Sequence, residues 1–378
     1  MFVNPCAAPD EADMSKENLA ELRTHLSESK QALLQKLLRG KNRRLDRLPT
    51  IPRRPDRSQY PLSFSQQRLW FTEQMSGSSP LYVIPSAVRI EGALDLDALE
   101  QVLNIVMRRH EILRTSFFAE DGEPVQRVSE SVHLGIRLCD ASKTQDPDAE
   151  ASRLVERTAL RSLSLSCPPL IAADMIRISD SRQLLLLRMH HIIADEWSLG
   201  VLLGEIAELY QSILKGDRVT LRDLDIQYAD FAVWEREWVD GPECAAHVDY
   251  WKSKLFSLPP PLDLPPDYAR PPITEFKGGS EPVFIPPNLT KAVRALAEAQ
   301  SATLFMSLLT AFSTLIFRYT GREDFVIGSP VAGRTRRELS NLMGCFVNML
   351  PLRLNTDRAA SFARVLAGVR TTALEGYT

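Results

Sequence analysis

The chain has 378 residues, of which 44% are hydrophobic and 25% charged, with 45 basic against 48 acidic side chains. That length predicts two or three domains or one large two-lobed unit, and the composition excludes disorder over the chain as a whole. A net charge of −3 excludes nucleic-acid binding by bulk electrostatics.

In chain order, leucines from Leu19 to Leu38 recur at helical steps and predict a helix over Met14–Gly40. A basic run from Arg39 to Arg57, with prolines 49, 52, 55 and 61, then reads as a solvated, flexible and extended linker. The main body starts near Tyr60. Asp95–Arg109 predicts an amphipathic helix capped by Asp95 or Asp97, with Leu99, Val102, Leu103 and Val106 inward. Leu113–Phe118 predicts a strand and Glu150–Leu163 a helix. The run QLLLLRMHHII, Gln183–Ile193, predicts a strand covered on both faces. A long helix follows over Ser198–Leu214, closed by Lys215 and Gly216.

Ten of the 25 prolines lie between Pro259 and Pro287, too dense for a helix interior or a central strand. They predict a connector between two lobes. Beyond it, Leu289–Gln300 and Leu304–Tyr319 predict helices, and Phe325–Ser329 and Phe346–Leu354 strands. Ala302–Tyr319 is the most membrane-like stretch, but Thr303, Ser307, Thr310, Ser313, Thr314 and Arg318 interrupt it, so it predicts a buried core helix. Met1–Asp13 lacks the apolar core of a signal peptide, and the five cysteines form no CxxC pair. The expected location is the cytoplasm. The expected fold class is α/β (α+β), in two α/β lobes. The expected layout is 1–59 helix and linker, 60–258 first lobe, 259–287 connector and 288–378 second lobe.

The strongest site signal is MHHIIADEWS, Met189–Ser198. Neighbouring side chains on a strand point to opposite faces, so one histidine can face a cleft while the other packs. His190 is expected to pack. His191 is placed as a general base near neutral pH. Asp195, four residues on, either binds that imidazole or pins the loop. A metal site of His191 and Asp195 lacks a third ligand nearby. There is no nucleophile elbow, phosphate-binding loop or dinucleotide fingerprint.

Four further segments accompany this motif: PLSFSQQRLWF (Pro61–Phe71), RHEILRTSF (Arg109–Phe117), YADFAVWERE (Tyr228–Glu237) and VIGSPVAGRTRRELSNLMGCFVNMLPLR (Val326–Arg353). With the histidine motif, in this order, they resemble the condensation domains of nonribosomal peptide synthetases, from Tyr60 to the C-terminus. The form of Pro61–Phe71 is similar to the subtype joining an L-aminoacyl donor to an L-aminoacyl acceptor.

The resemblance implies a V-shaped pair of chloramphenicol-acetyltransferase-like lobes around a tunnel. Upstream donor and downstream acceptor peptidyl carrier proteins would insert phosphopantetheine arms bearing thioesters. The acceptor amine would attack the donor thioester and form an amide, with no metal or bound cofactor and no membrane or nucleic-acid partner. His191 matches the catalytic histidine, accepting a proton from the amine or positioning it. Asp195 matches a structural aspartate, and Arg334 an arginine forming a bidentate pair with it that would tie the second lobe to the active-site loop. Arg114 reads equally as a site residue or a surface cation. Asn348 and Ser198 are candidate tunnel or substrate residues. Trp70, Trp197 and Trp234 are expected in the core.

Two departures stand out. Glu196 occupies a position that is usually glycine, which leaves open a strained left-handed turn, a negative charge beside the reacting carbonyl, or an outward side chain. The chain ends at VRTTALEGYT, short of a further family motif, so the second lobe is expected to be incomplete. Met1 and the residues before the first motif suggest the start of a synthetase polypeptide, with an adenylation domain downstream. The first helix reads as a linker or as a docking element. The alternatives are a stand-alone acyltransferase on a soluble amine or alcohol, and a non-catalytic carrier-binding domain.

Overall fold

The computed structural model describes residues 50–77, 80–217, 221–269 and 278–377. The helix expected over Met14–Gly40, most of the basic run and residues 270–277 of the proline-rich stretch lie outside them. The chain divides into two compact units. One comprises residues up to Glu237 with Arg334–Phe346, the other Trp238–Gly333 with Val347–Thr378. This division differs from the expected layout in two ways: the main stretch of the first unit ends at Glu237 rather than 258, and Arg334–Phe346 returns to that unit. It does so because Leu339, Leu342, Met343, Cys345 and Phe346 are buried in that unit's core.

The first unit opens with β1 (Tyr60–Pro61) and α1 (Phe64–Ser76). Ser63 and Gln66 satisfy each other's backbone N–H groups in a capping box that starts α1, at 3.1 and 3.0 Å. Next come β2 (Val83–Glu91) and α2 (Leu96–Arg109), the latter capped by Asp95 as expected. A short turn of 3₁₀ helix, Glu111–Arg114, delays β3 to Thr115–Glu120, two residues later than the sequence suggested. The remaining elements are β4 (Glu123–Val128), β5 (Ile136–Asp140), α3 (Pro147–Ala159), β6 (Ile171–Arg177), β7 (Arg182–His190), α4 (Glu196–Lys215) and α5 (Tyr228–Val239).

Two sheets result, ordered β1-β4-β3 and β2-β7-β6-β5. β7 lies inside the second sheet, antiparallel to both β2 and β6, while β5 and β6 run parallel. Its nearly continuous apolar run, broken by Arg188, whose guanidinium pairs with Asp174, follows from its covered faces. Leu185, Leu187 and Met189 pack into one core with α2 and α4, while Leu184 packs on the opposite side against Ala151 of α3. Burying each such leucine is worth about 1.5–3 kcal/mol. α4 ends at Gly216, whose φ of 71° is left-handed and suits glycine.

In the part of the expected linker that is described, residues 50–57, most side chains are exposed, but the chain is anchored rather than free. Ile51 is buried, and Arg53 donates to the carbonyls of Leu224 and Asp225. Arg54 bonds Asp230 and Glu111, each at 2.6 Å, and stacks 4.4 Å from the Tyr60 ring centroid. Burial opposes the charge on Arg54, but the bond from Asp230 and the field of Glu111 outweigh it and raise its pKa.

The second unit contains α6 (Pro242–Lys254), α7 (Pro287–Ala299), α8 (Leu304–Thr320), the antiparallel pair β8 (Asp324–Val331) and β9 (Asn348–Asn355), and α9 (Phe362–Gly376). Phe325, Leu352 and Leu354 pack with Met306, Leu309 and Ile316 of α8 and Val365, Leu366 and Val369 of α9. The expectation of a buried core helix over Ala302–Tyr319 holds for one face only, since Phe305, Leu308, Phe312, Leu315 and Tyr319 remain exposed. No single described helix is long and apolar enough to cross a membrane.

Candidate active site

The histidine motif lies where β7 turns into α4. His190 is the last residue of β7 and is completely buried. Its Nδ1 accepts from the Ile192 N–H at 3.1 Å, and its Nε2 lies 3.9 Å from the Glu73 carboxylate. Burial, then repulsion from His191, lowers its pKa from 6.5 to about 4. It is therefore neutral near neutral pH and packs as expected. His191 begins the turn. Its N–H donates to the Tyr82 carbonyl at 2.7 Å, and the ring is half-buried.

Asp195 ends the turn and caps α4. Its buried carboxylate Oδ1 accepts from the Ser198 N–H at 2.8 Å, the Ser198 hydroxyl at 2.6 Å and Arg334 Nη2 at 3.1 Å. Oδ2 accepts from the Phe346 N–H at 3.1 Å. None of these bonds goes to the His191 ring. Of the two expected roles, the geometry is that of pinning the loop.

Arg334 pairs with Asp195, but not in the bidentate manner expected. Only Nη2 reaches the carboxylate, and it also meets Ser198 Oγ at 3.0 Å, while Nη1 donates to the carbonyls of Leu339 and Leu342. Those carbonyls curl the 334–346 segment round the guanidinium and take up its second edge. The tie also lies within the first unit, since Arg334 belongs there. Burial draws the Arg334 pKa down, and the Asp195 carboxylate offsets part of that.

Ser198 completes the join. Its hydroxyl accepts from the Gly344 N–H at 3.1 Å and sits 2.9 Å from the Gly344 carbonyl. Gly344 has φ of 154°, and a Cβ there would fall 1.8 Å from the Tyr228 ring. The Tyr228 hydroxyl donates to the Cys345 carbonyl at 2.6 Å and lies 2.8 Å from Ser63 Oγ. Burial pushes the Tyr228 pKa well above its usual value, so it stays a neutral phenol. Cys345 Sγ lies 3.8 Å from His191 Nδ1. Sequence reasoning did not single out Tyr228, Gly344 or Cys345; the signal was their place inside two of the ordered segments.

The other candidates fall elsewhere. Arg114 is neither a site residue beside His191 nor a bare surface cation: Nη1 donates to the Ser129 carbonyl and Nη2 lies 3.6 Å from Glu111. Glu196 is the first residue of α4, exposed and with no positive φ, so the left-handed reading is corrected. Asp195 as N-cap already sets helical geometry at the next position. Trp70 is in the core and Trp234 packs against it, but Trp197 is 50% exposed and donates to the Ser340 carbonyl at 2.9 Å. Asn348 is exposed at the start of β9 in the second unit, and its side chain accepts from the Met349 N–H. Phe346, expected to begin that strand, instead packs on Tyr228 and Phe231. Among the described residues no cluster of three His, Cys, Asp or Glu side chains could hold a metal.

A two-sheet unit carrying a histidine turn, fastened from behind by an aspartate–serine–arginine join, matches a known family. Residues 56–378 match the model of the condensation domain. The chain belongs to the condensation domain family. It is 41% identical over 333 residues to a linear gramicidin synthase polypeptide of Brevibacillus parabrevis, covering 88% of this chain and 4% of that protein. It is 38% identical over 330 residues to phosphinothricin tripeptide synthetase PhsC of Streptomyces viridochromogenes, covering 86% of this chain and 30% of that protein. The chain thus spans a small part of the curated relatives it matches. Among solved structures, the first condensation domain of the calcium-dependent antibiotic synthetase, in complex with a substrate analogue, superposes with a TM-score of 0.71 at 25% identity. That match covers 84% of this chain and 74% of the other. The X-domain from teicoplanin biosynthesis has the same fold, with a TM-score of 0.78 at 24% identity, over 87% of this chain and 73% of that one.

Proposed function

We propose that the chain forms an amide bond between a donor acyl or peptidyl thioester and the amine of an acceptor aminoacyl thioester, in nonribosomal peptide synthesis. The observation that carries this reading is the histidine turn. One imidazole is sealed and neutral, the next is half-open, and the carboxylate behind them is wholly engaged in holding the turn.

On this reading the amine nitrogen attacks the thioester carbonyl and a C–N bond forms. His191 takes the proton that the nitrogen sheds. The C–S bond breaks, and the leaving thiolate is protonated as the imidazole returns to neutral. Holding amine and thioester together removes much of the entropic barrier, and a positioned base adds about 10²–10⁴ in rate. Asp195, Ser198 and Arg334 position the turn rather than touch substrate.

Donor and acceptor carrier proteins supply both thioesters on phosphopantetheine arms, and the domain holds no cofactor of its own. An adenylation domain would load the acceptor. Asn348 is a candidate substrate contact, and the L-donor, L-acceptor subtype and the cytoplasm complete the reading.

In an assay with loaded carriers, His191→Ala is expected to lower amide formation by roughly 10²–10⁴. His190→Ala should act mainly through folding. Near-full turnover by His191→Ala would sink the assignment of the base. Turnover with a soluble amine but not with a loaded carrier would favour a stand-alone acyltransferase. Carrier binding without any product would favour a non-catalytic role.

A further inference from the structure

His191 has two ring nitrogens and, when neutral, one proton between them. Which nitrogen holds that proton decides whether the ring offers a base or a donor to a substrate. Among the described residues, the ring's one hydrogen-bond partner is Cys345 Sγ, 3.8 Å from Nδ1. The spacing is within reach of a hydrogen bond to sulfur, which is longer and weaker than one to oxygen.

The backbone that carries the sulfur is held at three successive residues. Gly344, just before it, donates its N–H to the Ser198 hydroxyl. The Cys345 carbonyl accepts from Tyr228, itself fully buried. Phe346, just after it, donates its N–H to Asp195. Asp195 and Ser198 follow His191 by four and seven residues. The join that pins the histidine turn therefore also sets the backbone of Cys345, a residue only 2% exposed. The backbone on either side of the pair, the turn that carries His191 and the residues flanking Cys345, is thus held by one carboxylate and one hydroxyl.

We propose that Cys345 is a positioning residue for His191: its sulfur accepts the Nδ1–H and leaves Nε2 bare toward the reacting amine. This rests on the amide-forming reading for its consequence, but not for its geometry. The thiol exchanges no proton with substrate. It fixes the tautomer and the ring plane, and Nε2 takes up and returns the proton. Free histidine side chains favour the Nε2–H form, so the sulfur would have to overcome that bias.

The test is the two-bond ¹H–¹⁵N spectrum of the whole chain labelled at histidine, with His191 assigned by the signal lost in His191→Gln. The expected result is the Nδ1–H tautomer in the native chain, shifting toward Nε2–H in Cys345→Ala and partly restored in Cys345→Ser. With loaded carriers, kcat of Cys345→Ala should fall by up to about 10²-fold with KM little changed, the scale of a misplaced reacting group. A native His191 in the Nε2–H form, or one unmoved by Cys345→Ala, overturns the proposal; the first needs no variant to fold. A tautomer that moves as expected in a chain forming no amide would uphold the positioning and sink the amide-forming reading.

Discussion

Removing Asp195 should unfasten the histidine turn and the 334–346 segment together. Asp195→Ala deletes an acceptor of four hydrogen bonds and leaves the Arg334 guanidinium, 2% exposed, without its counter-charge. Losing the cap of α4 costs about 1 kcal/mol, and stranding a buried charge about 3–5 kcal/mol. The combined loss, about 4–6 kcal/mol, is comparable to the whole stability of many domains, about 5–15 kcal/mol. Arg334→Met should cost less, because Asp195 keeps its three donors from Ser198 and Phe346. In the double variant the carboxylate and the guanidinium are both gone. Its loss should fall short of the sum of the single losses by about 0.5–3 kcal/mol. Urea unfolding gives the stabilities, and hydrogen exchange of the Gly344 and Phe346 amides reports the join directly. Simple additivity, or unchanged protection of those two amides in Asp195→Ala, would refute the reasoning.

Three further outcomes follow from the geometry. Gly344→Ala drives a methyl into the Tyr228 ring, 1.8 Å away, and should destabilise the first unit by at least the ~1–3 kcal/mol of an overpacked core; an unchanged urea midpoint would contradict this. His190 has a folded pKa of about 4 against 6.5, so protons favour the unfolded chain between those values. Stability should be full above about pH 6.5 and fall as the pH drops toward 4, by about 3 kcal/mol, a slope that His190→Gln should remove in urea titrations across that range. Glu196→Gly should lower stability slightly, by up to about 1 kcal/mol, since it takes a favourable acid from the first turn of α4 and adds chain entropy; a gain in melting temperature would restore the strained-turn view.

What the sequence made legible was local. The helical period over Asp95–Arg109, the Asp95 cap, the closing Gly216 and the apolar run before the histidines each write their physics within a few neighbours. The histidine half of the site was readable for the same reason. The other half was readable only through the family resemblance, which named Arg334, because Asp195 meets it across 139 residues of chain. Chain order placed Arg334 with α8 and β8, its neighbours in sequence. Its partners place it with α4. The anchoring of Arg53 and Arg54 was hidden in a similar way. Arg53 and Arg54 between prolines carry the composition of a solvated linker, while the groups that bind them come far along the chain, Glu111 57 residues after Arg54 and Asp230 and the carbonyls of Leu224 and Asp225 some 170 residues later.

Glu196 shows the opposite case, in which a family pattern obscured a local signal. A glycine expected at that position suggests a left-handed backbone. Yet Asp195 followed three residues later by Ser198 is itself a helix start, with the carboxylate accepting from the Ser198 N–H and the intervening residues already helical. Any residue with ordinary backbone angles then fits at 196, and an acidic one is favoured there by the helix dipole. Glutamate at this position is therefore compatible with the pinned turn. The demand for a residue without a side chain falls instead on Gly344, 148 residues later, where Tyr228 leaves no room for a Cβ.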